Sequence, residues 1–474
     1  MPAWLRARAR PLAVYVFTAV VLALLAGKSL TRPSANNHFV HMADGWLDGR
    51  LEHEGKPPGY CDAKRRRAGE CRHHQYDDWA VLRTLELPDG QSVRAFPCRT
   101  KVCQDARKTE RIETWYVTGQ GWTSYPVGEA RRKAQTWYVS FPPGPAAMML
   151  PVVAVWGLGT LDVLLTVLVA ACIPVVLLGF LDRTRGVDEG RGTEHLWLVM
   201  ALALGSPACF LGANGSVWFT AQIFGALALT AYLSCAWDLH RPAWAGLWLG
   251  VAVACRPTMA LAVLFFGWEW WRSGRPLPAL TRFVGPVLLI GAALMALNLA
   301  RFDAPFEFGH RFLDIRWQSR IQQYGLFHPR YLLRNLECML WLLPKHVWPM
   351  KVSLHGSALW VLSPWVLLAF AVRGRFAQKW GLVLTMLALM VPALLYQNSG
   401  QMQPTYRFAM LWLPVLVVLM AHGGALRSKR LAVGLVVLSI AAQSFGAWMF
   451  VRNKGKLFVT DPLGWPFESE FDDR

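Results

Sequence analysis

The sequence is 474 residues long, 54% hydrophobic and only 17% charged, against roughly 25% charged in soluble globular domains, which excludes an ordinary water-soluble enzyme. A net charge of +19 raises nucleic acid as a partner. No basic stripe interleaved with aromatics lies on an amphipathic element, however, so nucleic acid is set aside. Charged residues instead gather in blocks between apolar runs such as 161–181 and 431–450, each near the ~20 residues that cross a bilayer core.

Arg6, Arg8 and Arg10 precede a first apolar run at 12–26. Lys28 and Arg32 follow it without a small-residue cleavage pattern, so residues 1–30 are expected to be an uncleaved first span with a cytoplasmic N-terminus. Residues 31–143 are polar and expected to form an extracytoplasmic loop subdomain. Of nine cysteines, five (Cys172, Cys209, Cys235, Cys255 and Cys338) lie in apolar stretches, and Cys61, Cys71, Cys98 and Cys103 all lie in this loop. An even number in one oxidising compartment reads as two disulfides of open connectivity. A four-cysteine zinc site is the alternative, but the close CxxC pairs of zinc ribbons are absent.

Within the loop, residues 84–87 and 92–96 read as strands around the turn Pro88-Asp89-Gly90. The repeat Thr-Trp-Tyr-Val at 114–117 and 136–139 reads as two more. Phe141-Pro-Pro-Gly-Pro145 then breaks regular structure, and the apolar run 146–158, short for a span, is expected at the membrane interface.

Candidate spans follow at 161–181, 196–211, 218–237, 243–255, 258–271, 283–299, 357–371, 380–396, 408–421 and 431–450. With the first they predict an all-α polytopic membrane protein of about 11 transmembrane helices, carrying a small disulfide-containing α/β extracytoplasmic loop subdomain. Alternation from a cytoplasmic N-terminus puts 182–195, 238–242, 272–282, 373–379 and 427–430 inside, and every one carries Arg or Lys. The short outer loops 212–217 and 397–406 carry none. The short pair flanking Arg256 reads either as two spans or as a re-entrant hairpin. The domains are thus 1–30, the loop 31–143, a bundle at 144–299, an outer loop at 300–356, a second bundle at 357–450 and an outer tail at 451–474. Residues 329–343 repeat apolar positions at helical spacing, as in an amphipathic helix on the membrane surface.

In this topology the ionisable residues of interest fall on the extracytoplasmic side. Asp44 lies on a helical pattern, where a general base would meet a lipid-linked donor and an acceptor; it reads equally well as a surface acid or a cap. His38, His41 and Asp44 fall at i, i+3 and i+6, a poor tetrahedral set, so the reading carries no metal site and keeps a divalent cation only as a minor alternative. Arg256, before Pro257, suits a phosphate clamp or an interfacial anchor. Glu307 and His310 suit sugar hydroxyls, or Glu307 a salt bridge to Arg301 or Arg311. Tyr406 and Arg407 open a span after an uncharged loop, as a sugar and phosphate site or as an anchor.

Five short segments carry a resemblance: Met42-Ala-Asp44-Gly-Trp-Leu-Asp48-Gly-Arg50-Leu; Trp137-Tyr-Val-Ser-Phe-Pro-Pro-Gly-Pro145; Ala254-Cys-Arg256-Pro-Thr258; Asn298-Leu-Ala-Arg-Phe-Asp-Ala-Pro-Phe-Glu307-Phe-Gly-His310; and Tyr406-Arg407-Phe ahead of Leu413-Pro414. Together with a first span, a long outer loop and a bundle of further spans, they resemble the GT-C superfamily of membrane glycosyltransferases, which includes protein O-mannosyltransferases and lipid A aminoarabinose transferases. The resemblance implies that Asp44 is the outer-loop catalytic acid and that Arg256 and Arg407 contact the donor phosphate. Gly45 stands where the family carries the second residue of an Asp-Glu pair, which brings Asp48 forward as a partner.

The function expected is transfer of a sugar from a polyprenyl-phosphate donor to a lipid, glycan or protein acceptor, in the plasma membrane of a prokaryote. It needs no cofactor and proceeds by a single inverting displacement. A polysaccharide polymerase or ligase, and a non-catalytic scaffold with a cysteine-rich binding loop, are the alternatives. A transporter is disfavoured because mid-span charges are nearly absent.

Overall fold

The computed structural model describes residues 3–61, 67–68, 78–315, 317–346, 351–426 and 429–459. Cys71 and the tail 460–474 lie outside them. The protein is mostly helical, with a small antiparallel sheet, and its described residues form two compact units.

The first unit gathers Met1–Asn37, Gly159–Gly291 and Pro329–Leu463. Among the described residues, five helical segments of the protein are long and apolar enough to cross a membrane: Ala9–Thr31, Asp162–Arg185, Val217–Leu239, Leu277–Phe302 and Lys429–Arg452. Shorter apolar helices include Pro242–Cys255, Lys379–Leu395 and Leu413–His422. Large apolar side chains such as Phe17, Leu24, Leu288, Leu289, Phe370, Val437 and Leu438 point outward. A water-soluble surface does not carry such a belt; a lipid-facing one does.

Four of the apolar runs are not single α-helices, and proline is the reason. The run 196–211 breaks at Pro207 between Glu189–Ala203 and Ala208–Gly212. Residues 258–271 start as a 3₁₀ turn, Pro257–Ala262, before Val263–Arg272. Residues 357–371 divide at Pro364 into Leu359–Leu362 and the 3₁₀ stretch Pro364–Ala371. Residues 408–421 divide beside Pro414 into Arg407–Leu411 and Leu413–His422. Proline has no N–H and disfavours the α conformation in the residue before it.

Each break frees backbone groups that hydrocarbon cannot solvate, and side chains of the same unit satisfy several of them. Trp365 Nε1 donates to the Gly205 carbonyl at 2.8 Å, and Ser439 Oγ accepts from Trp365 N at 3.2 Å. Tyr232 donates to the Ala262 carbonyl at 2.6 Å and accepts from Phe266 N at 2.9 Å, bridging the 3₁₀-to-α junction.

Charged groups of this unit segregate to two ends. At one end Arg10 pairs with Asp182 at 3.1 Å, Asp182 with His195 at 2.6 Å, and Arg272 with Glu269 at 2.9 Å. At the other, Asp162 accepts from Ser34, while Arg452 donates to the Leu24 and Leu25 carbonyls at 2.7 Å. The expected amphipathic helix is Leu332–Leu340, with its polar face inward. Arg334 donates to Gln397 O at 2.6 Å and Asn335 to Leu394 O and Tyr396 O at 2.8 Å, while Leu333 and Trp341 are exposed. Asn335 thereby satisfies a last-turn carbonyl of Lys379–Leu395 and the one that follows it.

The second unit gathers His38–Leu158 and Ala292–His328. Its sheet comprises β1 (Trp79–Glu86), β2 (Ser92–Pro97), β3 (Ile112–Val117), β4 (Gly121–Pro126) and β5 (Arg131–Val139), in the order β4-β3-β2-β1-β5. The expected β1–β2 hairpin is present, with Gly90 at φ 82° and Leu87 N donating to Gln91 O at 2.8 Å. The two Thr-Trp-Tyr-Val copies lie on β3 and β5, which are not neighbours. β4 and the helix Lys101–Thr109 had no counterpart among the expected elements. One sheet face, through Phe96, Tyr116 and Tyr138, packs on Phe302 and Phe312. Asp303 ties the 292–328 segment down by pairing with Arg94 and accepting from Thr118 Oγ1 at 2.6 Å. The run 146–158 is helical, as part of Gly144–Trp156, and packs on the helix His38–Leu47.

Candidate functional site

In the membrane unit, two of the expected site arginines converge on one helix end. Arg256 ends Pro242–Cys255 in an extended conformation imposed by Pro257, and its Nη2 donates to the Trp218 carbonyl at 2.7 Å. Arg407 opens a 3₁₀ turn and is buried, with its guanidinium 5.2 Å from the Phe219 ring centroid. Trp218 and Phe219 are consecutive residues in the first turn of Val217–Ala236. One turn further on, Gln222 is fully buried, and neither its Oε1 nor its Nε2 has a hydrogen-bond partner. A burial that leaves both amide atoms unpaired is costly, of the order of 1–3 kcal/mol per group. Two guanidinium groups and an orphan amide thus meet the first two turns of one helix, donors of the kind that bind an anion.

The loop ahead of Arg407 is pinned by Gln403. Its Nε2 donates to His355 O and Ser399 O at 2.8 Å each, and its Oε1 accepts from Arg407 N at 3.1 Å. Gly356, at φ 85°, allows the close approach of the Gln403 carbonyl, which a Cβ there would meet at 2.9 Å. Tyr406 is fully buried and its hydroxyl donates to Ala393 O at 3.3 Å, so it braces Arg407 from behind.

In the second unit, Asp44 lies on His38–Leu47, whose buried face is His38, Phe39, Val40, Met42, Ala43 and Gly45. Its side chain is half-buried and carries no hydrogen bond or ion pair among the described residues. Gly157, at φ 53°, approaches it closely enough that a Cβ would sit 3.8 Å from Asp44 Oδ1. Asp48, by contrast, is exposed and paired with Arg50 at 2.6 Å, and Arg50 also reaches Glu54 at 3.4 Å. Asp44 is therefore the uncommitted carboxylate of the pair.

His38 and His41 turn to aromatic partners. Trp79 lies 4.8 Å from His38, 5.9 Å from His41 and 4.7 Å from His53, centroid to centroid, and His41 and His53 are 5.1 Å apart. Burial, with the neighbouring His53, pushes the His41 pKa down to about 4. Among the described residues no three His, Cys, Asp or Glu side chains are grouped to hold a metal. Glu307 accepts from Gly309 N at 2.8 Å and pairs with Arg311 at 3.2 Å, closing its own loop, while His310 lies 6.0 Å from the Phe141 ring.

Cys98 and Cys103 are bonded to each other, and Cys61 is also disulfide-bonded. The Cys98–Cys103 bridge clasps the start of Lys101–Thr109, where Thr100 caps the helix by accepting from Cys103 N. Gln222 and His53 are not among the site residues expected from the sequence. Gln222 had a visible signal, a polar side chain inside an apolar run; His53 had none. No family model matches the chain, and comparisons with curated proteins and with solved structures find no match either.

Proposed function

We propose that the protein is a GT-C-type membrane glycosyltransferase that moves a sugar from a polyprenyl-phosphate donor to a lipid, glycan or protein acceptor at the extracytoplasmic face. About eleven membrane segments, several broken at prolines, would carry the chain across a prokaryotic plasma membrane with its N-terminus inside. The observation that carries this reading is the convergence of Arg256 and Arg407 on the first turn of Val217–Ala236, beside the orphaned Gln222. That set suits a phosphate bearing a sugar better than a transported ion, because it offers donors rather than a ring of carboxylates.

In the proposed reaction, the acceptor hydroxyl or amine loses its proton to Asp44 as its oxygen or nitrogen attacks the anomeric carbon. The bond from that carbon to the phosphate oxygen breaks, and the configuration inverts. The donor phosphodiester carries one negative charge and the departing polyprenyl phosphate carries two, so the arginines gain interaction energy as the bond breaks. Glu307, His310 and Tyr406 act in this scheme as supports of the sugar site, and no cofactor takes part.

The test is transfer from a labelled polyprenyl-phosphate sugar in membranes carrying the parent chain or Asp44→Asn. Asparagine keeps the size but cannot accept the proton, and general-base catalysis contributes on the order of a hundred-fold to ten-thousand-fold. Transfer is expected to fall at least about a hundred-fold with expression unchanged. Equal rates would remove Asp44 as the base, and a parent inert toward every such donor would leave the scaffold reading.

A further inference from the structure

The sheet of the second unit has a face that the reaction above does not use. Residues Arg83 on β1, Gln135 and Arg132 on β5, and Trp115 on β3 line it, with the Lys101–Thr109 helix along one side. Two cavities open there. One, of about 710 Å³, is lined by Arg83, Arg99, Arg107, Lys108, Arg111 and Arg132 against a single acid, Glu113. The other, of about 750 Å³, shares Arg83 and Arg132 and continues past Lys133, Lys56 and Arg50, with the acids Glu52 and Glu54 also on its wall. Both volumes lie in the range of small-ligand sites.

The acids pair with only some of the cations: Lys133 meets Glu86 at 2.6 Å and Arg50 meets Glu54 at 3.4 Å, at the margin of the second cavity. Asp314 is shared, 2.7 Å from Arg99 and 3.7 Å from Arg83, and Glu113 is taken by Arg107 at 2.9 Å. Arg132, Lys108 and Arg111 pair with no acid among the described residues. Arg83 is 8% exposed, and its Nε is buried without a hydrogen-bond partner. Trp115 holds Arg83 and Arg132 from beneath, with centroid distances of 5.9 and 5.0 Å. Like charges gathered on one ring repel one another, and an anion between them relieves it.

We infer that this basic cleft, centred on Arg83 and Arg132, binds a ligand carrying two phosphate groups, or a phosphate and a carboxylate, across its two lobes. Burial, partly offset by Asp314 and reinforced by Arg99 and Arg132, brings the Arg83 pKa down to about 10, and a bound anion would raise it. The site stands whether or not the protein transfers sugar, since none of Asp44, Arg256 or Arg407 lines it.

The experiment is calorimetric titration of inorganic pyrophosphate into the full-length protein in phosphatidylcholine nanodiscs, with tryptophan fluorescence as a second readout. Saturable binding is expected, weakening as salt rises. Arg132→Gln should weaken it at least tenfold. Arg132 is exposed, so this variant folds even where the buried Arg83→Gln does not. Arg131→Gln, which lines neither cavity, should bind like the parent. Repeating the titration in discs containing phosphatidylglycerol separates the sources of the phosphate: loss of pyrophosphate binding assigns the cleft to a lipid headgroup, and retention to a soluble ligand. No saturable binding in neutral discs, or unchanged affinity in Arg132→Gln, overturns the site.

Discussion

At the residue scale, the two converging arginines differ in what a conservative change removes. Arg256 donates Nη2 to the Trp218 carbonyl through a planar guanidinium fork. Lysine keeps the charge but loses the fork, so Arg256→Lys is expected to raise the KM for the lipid-linked donor about tenfold or more, with a smaller effect on kcat. A fall in kcat alone would show that Arg256 acts only as the bond breaks. His41 makes a different prediction. Its folded pKa, about 4, lies below the ordinary 6.5, and its cause is burial. Above pH 6.5 both folded and unfolded forms are neutral and the group contributes nothing. As pH falls from 6.5 toward 4 the unfolded chain takes up the proton first, so stability declines over that window and levels off below it. The slope stays under the limit of about 1.4 kcal/mol per pH unit, because His41 keeps some solvent contact. The melting temperature of the parent should therefore drop between pH 7 and pH 5 by more than that of His41→Gln; equal drops would remove His41 as the source.

At the scale of elements, two close approaches decide what can be changed. Gly246 and Gly250 on Pro242–Cys255 face Leu277–Phe302, where a Cβ would lie 2.0 Å from Phe283 O and 2.5 Å from Ile290 Cδ1. Small residues four apart let two membrane helices touch along their backbones. Gly246→Val should force the pair apart, costing about 1–3 kcal/mol or more, seen as a loss of monodisperse protein in detergent. Gly285→Ala, with open space around it, should be neutral, and a Gly246→Val protein that melts like the parent would contradict the packing. In the sheet, Cys98–Cys103 closes a short loop and should contribute roughly 2 kcal/mol through the unfolded chain. Alkylation without reductant should label neither cysteine. The strands beginning at Ser92 and ending at Val117 and Val139 were legible because alternation and a Pro-Asp-Gly turn are local signals. β4 was not, since Gly121-Trp-Thr-Ser-Tyr-Pro carries half-exposed polar residues and is a strand only because β3 pairs with it. Arg256 and Arg407 could be singled out by residue type and neighbouring Pro and Tyr. That both meet Val217–Ala236 depends on residues far apart in the chain, and no spacing encodes it. The basic cleft was illegible for the same reason: Arg83, Arg107 and Arg132 are scattered through a loop that is basic throughout.

At the scale of the whole molecule, orientation follows from which helix ends share partners within the membrane unit. Arg10, near the start of the first helix, pairs with Asp182 at the end of Asp162–Arg185. Lys429, at the start of Lys429–Arg452, lies close to Gly190, in the stretch that follows Asp182. At the opposite end, Arg452 donates to the carbonyls of Leu24 and Leu25, the last turn of that first helix. The first and last long helices therefore start together and finish together, and whatever side holds Arg10 also holds Lys429. In the proposed orientation, with the basic residues before the first span inside, that side is cytoplasmic; Lys429–Arg452, at 24 residues, is about 36 Å long, enough to cross the hydrocarbon core. The same end as Arg452 also carries Asp162 and Ser34, and Val217 N, at the helix start against which Arg256 and Arg407 rest, donates to Asn36 O of the same stretch at 3.1 Å. The proposed donor site thus shares a side with the end of the last helix. A reporter enzyme fused after Arg430 should accordingly be active only in the cytoplasm and one fused after Arg452 only outside it. Both reporters on one side would mean that Lys429–Arg452 does not cross, and both reversed would place Arg256 and Arg407 in the cytoplasm, where a nucleotide-linked donor, not a polyprenyl-linked one, would have to meet them.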